Sequence, residues 1–160
     1  MSLQGSRSRI VAGAVSLLIV AFIIPSCSSA GGPDPDPDAD KIHVAGTYGT
    51  QVTLSDNTCT GVTVMPLPTT VTHAAGATTF SLQHGPLTYS GSLTSAGAFT
   101  TAPRVIQDGG TQTTITIAGS FTTTGFIADV TVAIVNATPP NCGYKVHWVG
   151  TKTGSPNVIP

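Results

Sequence analysis

Residues from about 41 to 153 read as strands, rich in Thr, and in several segments apolar side chains recur at every second position. The alternation is clear in Thr114-Ile115-Thr116-Ile117-Ala118-Gly119-Ser120-Phe121. It returns in Phe126-Ile127-Ala128-Asp129-Val130-Thr131-Val132-Ala133-Ile134 and in Tyr144-Lys145-Val146-His147-Trp148. A period of two puts one set of side chains on each face of a pleated strand, so every such segment offers one face for burial. No stretch in this region repeats at the helical period. Helix formers are scarce: the chain has no Glu, and charged residues make up 8% of it. The expected class is all-β, an antiparallel up-and-down meander.

Earlier strands are expected at 44–54, 58–65, 69–74, 78–84, 87–94 and 97–104. Turns are expected at Ser55-Asp56-Asn57, Ala75-Gly76, Thr94-Ser95-Ala96-Gly97 and Asp108-Gly109-Gly110. Pro66 and Pro68 interrupt the second strand; if 58–74 is one bent strand the total is eight, otherwise nine. A two-residue loop at Thr124-Gly125 would pair Phe121 with Ala128, Gly119 with Val130, Ile117 with Val132 and Ile115 with Ile134. The next loop, 137–141, permits Val130 opposite Trp148, Val132 opposite Val146 and Ile134 opposite Tyr144. Gly119, Val130 and Trp148 would then form one row, with Gly119 making room for the indole. A register shifted by two would break that row but keep the faces. Tyr48, Tyr89, Tyr144, Trp148, Phe80, Phe99, Phe121 and Phe126 are expected in the core.

The cysteines choose between strand counts. Cys59 and Cys142 each stand just after a turn, and an exported domain with two such residues is expected to join them. In an up-and-down barrel with an even strand number, the second and last strands start at the same end and both flank the first. That favours an eight-stranded barrel, with a β-sandwich as the alternative. Cys142 shares the inward parity of Trp148 while Cys59 opposes that of Val62 and Val64, which a bulge at Gly61 or Gly143 would reconcile.

Residues 1–40 differ in character. Arg7 and Arg9 precede an uncharged apolar run from Ile10 to Ile24, too short for a comfortable membrane span and suited to the core of a signal peptide. Ile24-Pro25-Ser26-Cys27 follows directly and resembles the lipobox of bacterial lipoproteins. The resemblance implies a signal peptide over 1–26, a diacylglycerol thioether on Cys27, and attachment of the mature chain to the membrane through that residue. With Ser28 rather than Asp after the Cys, it also implies an outer-membrane address in the cell envelope. Cleavage after Ser28-Ser29-Ala30, giving a secreted protein, is the alternative. Residues 27–40 include Pro33-Asp34-Pro35-Asp36-Pro37-Asp38, which can form neither helix nor ladder. This is a linker able to span at most about 45 Å. An extended chain splays its carboxylates apart, which disfavours calcium. The β-domain occupies 41–160.

Charge and chemistry exclude more than they suggest. Six Lys+Arg against seven Asp+Glu give a formal net charge of −1, without the basic stripe of a nucleic-acid binder. His43, His73, His84 and His147 are scattered without zinc spacing, so no metal or cofactor is expected. The acids of the β-domain are Asp56, Asp108 and Asp129. Asp129 lies one diagonal from His147 in the register above, and that pair is read as a surface contact rather than a catalytic dyad. With no nucleophile elbow and no paired carboxylates, no catalytic residue is assigned and the chain is read as not an enzyme. The Thr-x-Thr pairs lack the fixed repeat of an ice-binding solenoid.

Gly46-Thr47-Tyr48 faintly resembles the Gly-x-Trp near the start of lipocalins, and a short meander with a late Trp148 is similar to avidins. Both families hold small ligands inside a barrel. Two functions are therefore expected: a non-catalytic structural or interaction domain displayed on the envelope, or, as the alternative, a small-ligand-binding barrel. A display domain should be solid inside, binding through loops such as Arg104 to Thr111, whereas a ligand barrel should hold a void open at one end.

Overall fold

The structure is a computed structural model that describes Asp38 and residues 40–160. The segment read as a signal peptide, Cys27 and most of the segment read as a linker lie outside the described residues. Nine strands follow in order: β1 (Gly46–Asn57), β2 (Pro68–Thr72), β3 (Thr79–His84), β4 (Leu87–Leu93), β5 (Ala98–Thr101), β6 (Arg104–Asp108), β7 (Thr111–Thr122), β8 (Gly125–Asn136) and β9 (Cys142–Thr153). Strands consecutive in the chain pair antiparallel, except β5 and β6, which do not pair with each other. β1 pairs with β9, and β5 with β7, so eight strands close into a barrel and β6 is additional.

β6 extends the line of β5. Phe99 faces Gly119 of β7, and Arg104 faces Ile115 of the same strand. Pro103, which has no N–H for a ladder, separates the two pieces. At the break the Thr101 hydroxyl accepts the Ile117 N–H at 3.1 Å. β6 pairs only with β7, so its other edge lies open toward the first half of β4.

Barrel closure with eight strands bears out the expected class, by a slightly different route. Residues 58–67 form a loop rather than a strand, and β2 begins only at Pro68. The turn expected at Ser55-Asp56-Asn57 is instead an irregularity inside β1: Leu54 faces Val146 and Asp56 faces Lys145, leaving Ser55 extra. This is where the bulge falls, not at Gly61 or Gly143. Arg104 to Thr111, expected as a loop, is a tight hairpin whose only turn residues are Gly109 and Gly110, both with positive φ.

The β7–β8 and β8–β9 registers each differ by two residues from the expected ones. Thr122 faces Gly125, Phe121 faces Phe126, and Thr123-Thr124 is the loop. Ala128 faces Trp148, Val130 faces Val146 and Val132 faces Tyr144. Gly125 is therefore not a turn glycine. A Cβ there would lie 1.9 Å from the Gly150 carbonyl oxygen, while Gly150 itself admits the ring of Phe126. The two shifts cancel along one row, so Gly119 and Trp148 remain in line, through Ala128. What Gly119 accommodates is the β8 backbone, Ile127 O and Ala128, and not the indole.

Inward faces form one core. Tyr48, Phe80, Leu82, Phe99, Phe121 and Phe126 are buried together, with Phe80 edge-on to both Phe99 and Phe121. Edge-to-face rings of this kind contribute about 1 kcal/mol each beyond their burial. This cluster fills one end of the barrel. The C-terminal segment seals it: Val158 and His43 exchange backbone hydrogen bonds, and the buried Asn157 donates to Thr122 O and Gly125 O. The Tyr48 hydroxyl lies 2.6 Å from Val44 O and 2.8 Å from Asn157 Oδ1, which also accepts from Lys152 Nζ. Outward positions are mostly hydrophilic, with Asp129 beside His147 and Thr131 beside Lys145.

Candidate functional site

The opposite end of the barrel is not filled. Here β1 ends, β9 begins, and Cys59 is bonded to Cys142 with their α-carbons 5.1 Å apart. The expected disulfide is present. Cys59, however, belongs to the loop after β1 rather than to the start of a strand, so its parity carries no constraint. The Asn57 side chain accepts the Cys59 N–H, and Thr58 and Gly143 exchange hydrogen bonds, which fastens the loop beside β9.

Within this end lies a cavity of about 190 Å³, lined by Val52, Ile115, Val130, Val132 and Val146 on its walls. Trp148, Tyr89, Tyr144 and His84 bring aromatic surface, and the 58–67 loop adds Val64 and Met65. Met65 is 66% exposed despite reaching the cavity, so the loop forms a rim between interior and solvent. A second hollow, beside Gly91 and lined by Ser90, Ser92, Thr100, Thr101 and Ala102, offers no aromatic or titratable group.

The polar groups of the cavity are few and ordered from behind. His84 stacks on Trp148, ring centroids 4.1 Å apart and 28° between planes. His84 Nδ1 is 2.9 Å from Thr69 Oγ1, which is 2.7 Å from Thr50 Oγ1. Both threonines are buried, so this short chain holds the imidazole in one orientation. Burial pushes the His84 pKa down, favouring the neutral ring. Burial also pushes the Tyr89 phenol up, with nearby Arg104 opposing and Tyr144 adding to the effect. Arg104 sits with its guanidinium carbon 6.0 Å from the Tyr89 ring centroid.

The other residues weighed from sequence lie elsewhere. His43 and His73 stack on each other at the sealed end. His73 Nε2 meets Ala77 O, and Nδ1 accepts from Val44 N–H, so its ring nitrogens serve the fold. Asp129 and His147 are direct cross-strand neighbours rather than diagonal, joined at 2.8 Å on the exposed face. Asp56 faces Lys145 on β1, and Asp108 ends β6, both exposed. Among the described residues, no three His, Cys, Asp or Glu side chains gather closely enough to hold a metal ion. Sequence reasoning placed Trp148, Tyr89 and Tyr144 inside but treated them as packing. The signal it missed is size: Val130, Val132 and Val146 of the inward face are too short to fill the space around one indole.

Neither a protein-family model, nor a curated protein, nor a solved structure matches the chain. The site therefore stands on its own geometry.

Proposed function

We propose that the barrel is the ligand-holding domain of an exported envelope lipoprotein, taking a small apolar molecule through its open end without catalysing a reaction on it. The observation that carries this reading is the cavity. One end of the barrel is sealed by aromatic rings and the C-terminal segment, while the other keeps about 190 Å³ of apolar space behind an exposed rim. A domain serving only as a display scaffold would gain stability by filling that space, since each buried methylene contributes about 0.8 kcal/mol. A dry apolar cavity of about 150 Å³ holds a benzene ring, so the fitting occupant is a single ring or a chain of about six carbons. Burying such a chain contributes about 4–5 kcal/mol, which corresponds to dissociation constants on the order of 0.1–1 mM before any polar contact.

Export and anchoring complete the proposal. The lipobox-like Ile24-Pro25-Ser26-Cys27 would fix the chain to the outer membrane through acyl chains on Cys27, and the Pro-Asp linker would carry the barrel clear of the surface. A disulfide suits that oxidising compartment.

Trp148 is the only Trp of the chain and lines the cavity, so its fluorescence reports occupancy. Titration of the full-length oxidised protein with 1-hexanol is expected to shift Trp148 emission saturably, with a midpoint on the order of 1 mM. Native mass spectrometry of the exported protein is expected to show an adduct of small mass. A flat titration together with a bare mass would instead favour a display domain that binds through its loops.

A further inference from the structure

Arg104 is the only arginine of the β-domain, and its strand partner Ile115 lines the cavity, so Arg104 shares the inward face. The Pro103 break leaves β6 unpaired on the side toward β4, and Arg104 spans the opening: one terminal nitrogen donates to Thr88 O at 3.0 Å. That contact accounts for a single donor of the guanidinium fork. Nε is buried and has no partner among the described residues. No carboxylate offsets the charge either. The ion pairs among the described residues are Lys41 with Asp38 and His147 with Asp129, neither involving Arg104. A half-buried cation with an unmade hydrogen bond is costly, because it has lost water without gaining an acceptor.

The surroundings say which ligand would offset that cost. The Arg104 guanidinium lies over the ring of Tyr89, itself a residue of the cavity lining. Tyr144 also lines it, and neither phenol hydroxyl is hydrogen-bonded among the described residues. An apolar chamber lined by two tyrosines, with one arginine packed on the ring of Tyr89, is complementary to an apolar body carrying a single anionic oxygen pair. Resting on the ligand reading above, we infer that the barrel selects small monocarboxylates, the apolar part in the valine-lined chamber and the carboxylate at Arg104, Tyr89 and Tyr144. Guanidinium is the group best matched to a carboxylate, since its planar fork can donate two parallel bonds. A strap across the β4–β6 opening explains the bond to Thr88 but leaves Nε unexplained.

The test compares two probes of equal chain length, hexanoate and 1-hexanol, on the full-length oxidised protein at neutral pH, read by Trp148 fluorescence. Hexanoate is expected to bind more tightly than hexanol by about tenfold to a hundredfold, the scale of a hydrogen bond to a charged group. Arg104→Met should erase that preference by weakening hexanoate far more than hexanol, with an unchanged far-ultraviolet spectrum showing that the variant is folded. Tyr144→Phe should reduce the preference in part. Equal binding of the two probes to the wild-type protein, or an equal loss of both in Arg104→Met, would overturn the carboxylate assignment and leave the cavity reading intact. Absence of a saturable response to either probe would overturn both.

Discussion

Tyr48 shows how much a single hydroxyl can commit. It is fully buried at the sealed end, and burial pushes its pKa up to about 12, with the Asn157 contact working the other way. An unfolded tyrosine ionises near 10, so between about pH 10 and 12 the unfolded chain releases a proton that the folded barrel retains. The stability linked to Tyr48 is thus complete below pH 10 and is lost as pH rises toward 12, by about 2–3 kcal/mol in all. Lys152, whose pKa is lowered by burial, acts in the opposite sense just below its ordinary 10.5 and shares the Asn157 acceptor with the phenol, so Tyr48→Phe reports on the two groups together. Urea denaturation at neutral pH is expected to show Tyr48→Phe less stable by about 1–3 kcal/mol, with that gap closing at alkaline pH. The burial of Tyr48 could be read from its place in an alternating strand. Its attachment to Asn157 could not, because 109 residues separate the two and no periodicity links a strand to the irregular segment that caps it.

Among the elements, β7, β8 and β9 test how far alternation alone can go. Parity identified the buried faces of all three, because burying the wrong face would expose Ile115, Ile117, Val130, Val132 and Val146 at once. It could not fix register, since a slip of two residues preserves every face. The deciding contact is steric: Phe126 lies over Gly150, and Gly125 comes against the β9 backbone. Gly125→Ala is accordingly expected to destabilise the barrel by about 3 kcal/mol or more, as overpacking against backbone does. Were Gly125 a turn residue, the same change would cost only about 1 kcal/mol. Denaturation midpoints of the two proteins separate these values readily. β6 was hidden for a related reason. Pro103 and the polar run at Gln107-Asp108 carry the marks of a loop, yet the strand forms because β7 offers a free ladder edge once β5 has ended.

At the scale of the whole molecule, closure and the disulfide support one another. Cys59 and Cys142 are 83 residues apart in sequence, and their bond ties the loop after β1 to the start of β9 at the open end. By the loop-entropy model it contributes roughly 4–5 kcal/mol. The paired Cys59→Ser and Cys142→Ser variant is expected to lose much of that in urea denaturation while keeping the same far-ultraviolet spectrum. The architecture was legible because strand number, parity and cysteine placement all constrain one closed meander. The cavity was not, because vacancy depends on summed side-chain volumes around a ring of strands rather than on any residue by itself. Finally, the bridge between His43 and Val158 brings the two ends of the folded region side by side at the sealed pole. A short peptide link from residue 160 back to residue 41 would make the barrel nearly circular, and new termini could then be cut at Gly109-Gly110 without removing a core side chain. A reporter domain joined after residue 160 would likewise hang from the pole opposite the open end, leaving that end unobstructed.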